Sequence, residues 1–370
     1  MSEARITNLS NESNTGGPTI SGITTFSGTN YFVPPVGDTA QRPENQQPGD
    51  LRFNTDRGGL EYFRGNAIGW VEVEASEEGD GSARGVFMGG YNPFKDHVQY
   101  KSITSNATGV DFGDLSSAYK GQAGCSSRTR ALSIGGYNNN QMNVMEYVEI
   151  MSLGDAIDWG DLSAKRSNGA AVSNGTRGIV SGGAGVPAYL NTIEYLTFTS
   201  VGSVSDFGDL TVASGNGSRT GCQSTTRGVF PYRSSSGAQF GGIQYITMAS
   251  TGNAASFGDL VNTGAAYSGC SNSIRGIMGT GTPGIDVIEY ITIATTGNAL
   301  DFGNLTVGRW FGAGVASSTR GMFGGGTAGP TDQNVCDKVE FATIGNAVDW
   351  GDLAQAVRDM GSASNAHGGL

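Results

Sequence analysis

Three kinds of side chain recur along this 370-residue chain where they could do chemistry. Arginines stand at Arg84, Arg130, Arg177, Arg227, Arg275 and Arg320. Each is followed by an acid or amide joined to an aromatic: Gln99-Tyr100, Glu146-Tyr147, Glu194-Tyr195, Gln244-Tyr245, Glu289-Tyr290 and Glu340-Phe341. A third marker, Asp111-Phe112-Gly113-Asp114-Leu115, returns from Asp158, Asp206, Ser256, Asp301 and Asp349. Paired carboxylates beside a cation could serve general acid–base hydrolysis or hold a divalent cation. A catalytic constellation, however, needs unlike groups converging on one point, whereas a group present in every copy does one job each time. We therefore read these residues as structural, with Arg reaching an Asp or Glu across a repeat boundary and Tyr or Trp filling the space between repeats.

The remaining motifs carry little chemistry. Asp-Phe-Gly matches the kinase metal-binding triplet by letters only, since no Gly-rich loop, strand Lys or catalytic His-Arg-Asp accompanies it. The run from Gly279 to Gly284 fits a dinucleotide pattern but opens no helix. Only His97 and His367 exist, and neither stands in a metal-ligand spacing. Cys125, Cys222 and Cys270 fall five residues before a repeat Arg, where Val172 and Val315 stand in other copies, which marks small buried apolar positions with inert thiols. Cys336 reads as a loop residue. A glycosidase would need a symmetry-breaking carboxylate pair, and none stands out. The expectation is a non-enzyme without cofactor or metal.

What positions these residues is the repeat itself, with a period of 45 to 50 residues. Sixty-one glycines argue against helix, where each interior Gly costs about 1 kcal/mol. Short strands at this period are the blades of a β-propeller, and six copies imply six blades. The third copy shows the four strands as 170–173, 178–182, 192–198 and 205–210. In the fifth copy Ile288, Tyr290 and Thr292 alternate with Glu289, Ile291 and Ile293, so both faces are largely apolar, as between two neighbouring blades. Residues 360–370 match a first strand, and residues 84–90 supply the second strand that should follow it. One blade is thus shared between the two ends of the repeat region, which removes free edges.

Net charge is −11, and the 22 basic residues are spread at repeat spacing, so the stripe that nucleic acid requires is missing. No basic-then-apolar opening and no run of 18 apolar residues occurs. Residues 1–40 are Ser-, Thr-, Gly- and Asn-rich with one isolated strand-forming stretch, expected to be an extended attachment arm. Residues 41–79 read as a small three-stranded meander, with strands beginning at Leu51, Leu60 and Trp70, and an acidic linker over 74–81. Residues 80–370 form the propeller.

The order Gly-Gly, aliphatic-Glu-Tyr, aromatic-x-x-Leu and a basic residue resembles the Kelch repeat over all six copies. The Phe-Gly-Asp-Leu wording, with Thr296 to Ala299 before it, resembles Gly-rich repeat proteins of marine tailed bacteriophages. The segment from Arg42-Pro43 through Asp50-Leu51-Arg52-Phe53-Asn54 to Trp70 is similar to a module of phage tail-fibre and virion structural proteins. These resemblances imply an all-β virion component with a six-bladed Kelch-like propeller. On that reading it is a tail fibre or adhesin made in the host cytoplasm, a homo-oligomer with a trimer favoured, joined to other virion proteins through residues 1–40. The alternative is head decoration or a baseplate element without a receptor.

In an up-and-down blade the connections after the second and fourth strands emerge on one face, and here they vary while the strands do not. Host glycan or protein receptor is expected to meet Tyr91, Asn92, Phe94 and Lys95, then Tyr137, Asn138 and Asn139. Tyr189, Tyr232, Arg233, Arg309 and Trp310 complete the expected binding residues, since aromatic faces suit sugar C–H patches and amides reach hydroxyls. Tyr119, Lys120, Lys165, Arg166, Arg219 and Tyr267 fall in the same set of connections.

Overall fold

The computed structural model describes residues 34–56, 59–66, 69–72, 83–215, 221–233, 240–262 and 264–370. The chain divides into two compact units, Met1–Ser76 and Glu77–Leu370. Most of the expected attachment arm, and the acidic linker, lie outside the described residues. Among the described residues strands dominate; the one helical element is a 3-10 turn at Thr39–Gln41, and no helix is long and apolar enough to cross a membrane.

In the first unit Leu51–Asn54, Gly59–Phe63 and Trp70–Glu72 pair as an antiparallel meander. A fourth strand corrects the expected three: Val36–Gly37 adds in parallel, with Val36 opposite Phe53. Two residues after a Pro pair give no alternation to read. The core here is partly polar. Glu61 is fully buried and accepts from Arg42 Nε at 3.1 Å and Asn54 Nδ2 at 3.1 Å, with Arg52 Nη1 3.6 Å away. The Arg42 hydrogen bond holds its carboxyl below the usual range against the opposing effect of burial.

The second unit holds six four-stranded antiparallel sheets, a propeller-like architecture. The first comprises Gly361–Ser364, Arg84–Gly90, Lys95–Ser102 and Val110–Asp114. The second comprises Ala123–Ser126, Arg130–Asn138, Asn140–Glu149 and Ile157–Arg166. The third is Ala170–Ser173, Arg177–Ser181, Thr192–Thr197 and Ser205–Asp209, within a residue of the expected limits. The fourth is Cys222–Gln223, Arg227–Arg233, Phe240–Thr247 and Ala255–Asp259. The fifth is Ser268–Ser271, Arg275–Gly279, Val287–Thr292 and Leu300–Asn304. The sixth is Ala313–Ala316, Arg320–Gly324, Val335–Glu340 and Val348–Asp352. Ala363 lies opposite Val86, so the first sheet does draw its first strand from the far end of the repeat region.

Each sheet is apolar on both faces, and each core cluster is shared by two consecutive sheets. Trp159 and Leu162 of the second sheet, for example, pack with Val180 and Leu196 of the third. Met322 and Val315 of the sixth meet Phe87 and Ile103 of the first in the same way. Burial of this kind is the main stabilising term, at about 25 cal/mol per Å².

The recurrent pentapeptide is an outer edge strand designed to be covered. Phe112 is buried, its carbonyl accepts from Gly154 N of the next sheet at 2.9 Å, and Asp114 N donates to Asp155 Oδ1 at 3.0 Å. Phe207 with Gly252, Phe257 with Gly297 and Phe302 with Gly345 repeat the contact. The pairing satisfies an edge that would otherwise invite association. Gly113, at φ +149, allows the approach: a Cβ there would lie 2.4 Å from the Gly154 carbonyl oxygen.

The arginines stitch successive sheets, though not as expected. Arg84 lies 4.6 Å over the Tyr100 ring of its own sheet and donates to the Ile150 carbonyl of the next at 3.0 Å. Arg177 stacks on Tyr195 and reaches Met248 O at 3.1 Å; Arg227 stacks on Tyr245 and reaches Ile293 O at 3.1 Å. Arg320 reaches Thr104 O of the first sheet at 3.3 Å. The acceptor across the boundary is thus a main-chain carbonyl and not a carboxylate, because an aromatic ring of the same sheet, Tyr in five sheets and Trp350 beside Arg320, fixes the guanidinium plane against the neighbour's strand end.

The carboxylates and amides do cross a boundary, towards the preceding sheet. Glu146 accepts from Ser116 N at 3.2 Å, Gln244 from Thr211 N at 2.6 Å and Gln99 from Ala354 N at 2.7 Å. In the sixth sheet Asp337 takes this position: it stands opposite Phe323 as Glu289 stands opposite Met278, and it accepts from Thr306 N at 3.3 Å. The expected pair Glu340-Phe341 is therefore shifted by three residues. Lys338 replaces the aromatic and lies 3.8 Å over Trp350. Cys336 is correspondingly a buried strand residue and not in a loop.

Candidate binding face

First strands rich in small residues from different sheets of the second unit contact one another. Ser126 Oγ donates to Ser364 O at 2.8 Å, Ser362 Oγ to Gly314 O at 2.9 Å and Ser271 Oγ to Gln223 O at 2.8 Å. These hydroxyls satisfy carbonyls that strand pairing leaves over. The remaining cavity is about 20 Å³, bounded by residues such as Gly124, Gly269 and His367, which is room for about one water. His367 is buried against Ser126 O and Ser173 Oγ, at 3.3 and 3.1 Å. Burial pushes its imidazole down to about 4.

All four cysteines are buried free thiols. Burial pushes Cys125, Cys222 and Cys336 up to about 12, so none is poised as a nucleophile. Among the described residues no group of three or more His, Cys, Asp or Glu could hold a metal ion.

On the face carrying the connections after second and fourth strands, three of the expected residues come together. The Tyr91 and Phe94 rings meet edge-on at 5.3 Å between centroids, and Phe94 lies 6.2 Å from Tyr137. Lys120 Nζ sits 3.9 Å over the Tyr91 ring, and the Arg358 guanidinium is 5.2 Å from it. Asp359 lies 3.6 Å from Lys120, and Asp332 lies 3.4 Å from Arg358. Asn92 and Asn139 are exposed; Lys95 donates to Gln355 at 3.1 Å, and Asn138 to the Ala118 carbonyl at 2.8 Å. The rings are half-buried, and each cation is held by both a carboxylate and a ring.

Other expected residues fall elsewhere. Tyr189 and Trp310 are half-buried on connections of the third and fifth sheets, and Tyr232, also half-buried, lies in the second strand of the fourth sheet and not on a connection. Tyr232 packs over Gly242, where burial and then Asp259 raise its phenol pKa. The side chain of Arg233 and all of Arg219 lie outside the described residues. Arg309 does not face solvent: it is fully buried, 2.7 Å from an equally buried Asp337. Arg166, Tyr119 and Tyr267 are buried too. Arg166 bonds Glu194, and Tyr119 bonds Glu146 at 3.2 Å. Arg309, Arg166 and Tyr119 answer the buried acids of the neighbouring sheet, whereas the Tyr267 hydroxyl donates to the Asn262 carbonyl at 2.6 Å. Where that donor position holds Val357 or Ser214, the partner is the neutral Gln99 or Gln244.

Two open hollows share this face. One of about 310 Å³ is lined by Lys120, Tyr137, Gln141, Asn168, Phe311 and Asp359. The other, about 390 Å³, is lined by Asn140, Gln141, Lys165, Val186 and Leu190. Their common wall belongs to the second sheet, whose last three strands run to 9, 10 and 10 residues against 5, 6 and 5 in the third. Tyr137, Asn138 and Asn139, expected on a connection, thus stand at the top of a tall hairpin that turns at Asn139, φ +57. Asn168, Phe311, Arg358 and Asp359 were not among the expected binding residues.

No protein-family model matches the chain, and no curated protein is significantly similar to it in sequence.

Proposed function

We propose that the repeat region is a closed six-bladed Kelch-like β-propeller, and that the chain is a bacteriophage virion structural protein, a tail fibre or adhesin without catalytic activity. Its loop-bearing face binds the host cell surface, while residues 1–40 join it, as a homo-oligomer, to other virion proteins. Six sheets in sequence, with Gly361–Ser364 paired to Arg84–Gly90, support the ring. The resemblance of the repeat and of the Arg42 to Trp70 segment to phage proteins supports the setting. The observation that carries the binding role is the grouping of Tyr91, Phe94 and Tyr137 with Lys120 and Arg358, on the face where the repeat loses its symmetry.

The test is adsorption of the purified, labelled chain to susceptible cells. Binding should be saturable and weaken at least about tenfold when Phe94 and Tyr137 both become Ala, as expected for two aromatic contacts. Absence of binding by the unaltered chain would overturn the reading.

A purely structural role as head decoration or a baseplate element has one observation in its favour: the cavity among the first strands of the sheets holds only about 20 Å³. Imaging the protein's place on the particle separates the two.

A further inference from the structure

We infer that the two hollows beside the second sheet form one groove for an extended acidic oligosaccharide, a conclusion that rests on the host-binding reading above and names its ligand. The hollows meet at Gln141, which lines both. Each is lined by one lysine, Lys120 in the first and Lys165 in the second. Amides line the same hollows: Asn168 in the first, Asn140 in the second and Gln141 in both. Tyr137 and Phe311 bring ring edges or faces to the inner hollow, while Val186 and Leu190 bring aliphatic groups to the outer one.

That combination matches a polyhydroxylated chain carrying repeated anionic groups. Amides donate to and accept from hydroxyls, apolar surface covers sugar C–H faces, and a lysine in each hollow meets a carboxylate or phosphate as a point charge. The only carboxylate lining either hollow is Asp359, and Lys120 lies 3.6 Å from it. With Lys120 paired to Asp359, Lys165 leaves the walls of the two hollows one net positive charge, a local reversal in a chain whose net charge is −11. The wall exists because the fourth strand of the second sheet runs to 10 residues against 5 in each other sheet, with Met142 opposite Arg166 beyond the ordinary strand limits. A groove on one blade of a repeated scaffold is a feature that the packing of the repeat does not require.

The experiment is calorimetric titration of the full chain with three probes: oligogalacturonate, neutral dextran oligosaccharide of equal length, and poly-glutamate. Oligogalacturonate should bind, more weakly as salt rises. Lys165→Gln and Gln141→Ala should each reduce its affinity about tenfold, the cost of one charge-assisted or shared hydrogen bond. Arg128→Gln, an exposed change in the connection between first and second strands of the same sheet, should leave it unaltered. Equal or tighter binding of dextran, or of poly-glutamate, would overturn the acidic-sugar assignment while leaving adsorption to cells intact. Oligogalacturonate binding indifferent to both groove variants would overturn the location. Failure of the chain to adsorb to any susceptible cell would remove the host-binding reading and this inference with it.

Discussion

Arg309 and Asp337 form an ion pair at 2.7 Å in which neither side chain reaches solvent. The guanidinium also donates to the carbonyls of Gly325 at 2.8 Å and Phe323 at 3.0 Å, so all three groups are tied together in the core between the fifth and sixth sheets. Arg309→Val alone should destabilise the chain by about 3–5 kcal/mol, because it strands a buried carboxylate. Arg309→Val with Asp337→Gln reproduces the Val357 and Gln99 pairing found between the sixth and first sheets, and should recover most of that loss. Denaturant unfolding of the single and double variants measures both. A double variant no more stable than the single one would contradict the equivalence of these positions.

Gly303 and Gly345 face each other across a sheet boundary and should respond oppositely to substitution. A Cβ on Gly303, at φ +147, would lie 2.3 Å from the Gly345 carbonyl oxygen, whereas a Cβ on Gly345 meets nothing within 4 Å. Gly303→Ala should cost roughly 2 kcal/mol or more, and Gly345→Ala less than about 0.5 kcal/mol. Thermal unfolding of the two variants distinguishes them.

His367 should make the chain acid-sensitive. Burial favours the neutral ring and pushes its pKa from 6.5 to about 4, so the unfolded state takes up a proton that the folded state refuses. The stability present above pH 6.5 is therefore lost progressively as pH falls towards 4, by roughly 3 kcal/mol for this group. His367→Gln should flatten the decline between pH 6.5 and 4 relative to the parent, measured by urea unfolding across that range. An identical decline in both proteins would show that other groups set it.

The sequence carried the architecture because the repeat wrote its packing six times: Phe112 and its counterparts point into a core, and Gly113 and its counterparts permit one close approach. Partners were less legible. The spacing placed an Arg and an acid or amide in every copy, but only the register revealed that Arg84 seeks a carbonyl and Glu146 the preceding sheet. In the sixth copy Lys338 took over from the aromatic, and Glu340-Phe341 offered a false match three residues on. At the binding face, Asn138, Asn139 and Asn140 read as a loop because Asn favours turns, yet they stand in and around two long strands. Arg309 read as a loop cation because its partner Asp337 was itself masked by that false match.

The account depends most on a ring of six sheets joined by strands from the two ends of the repeat region. A three-dimensional map of the purified chain at side-chain resolution tests this most directly. The map should show six sectors about one axis, with Ala363 beside Val86 of the same molecule. Five or seven sectors, or a strand from a second molecule in the place of Gly361–Ser364, would contradict it.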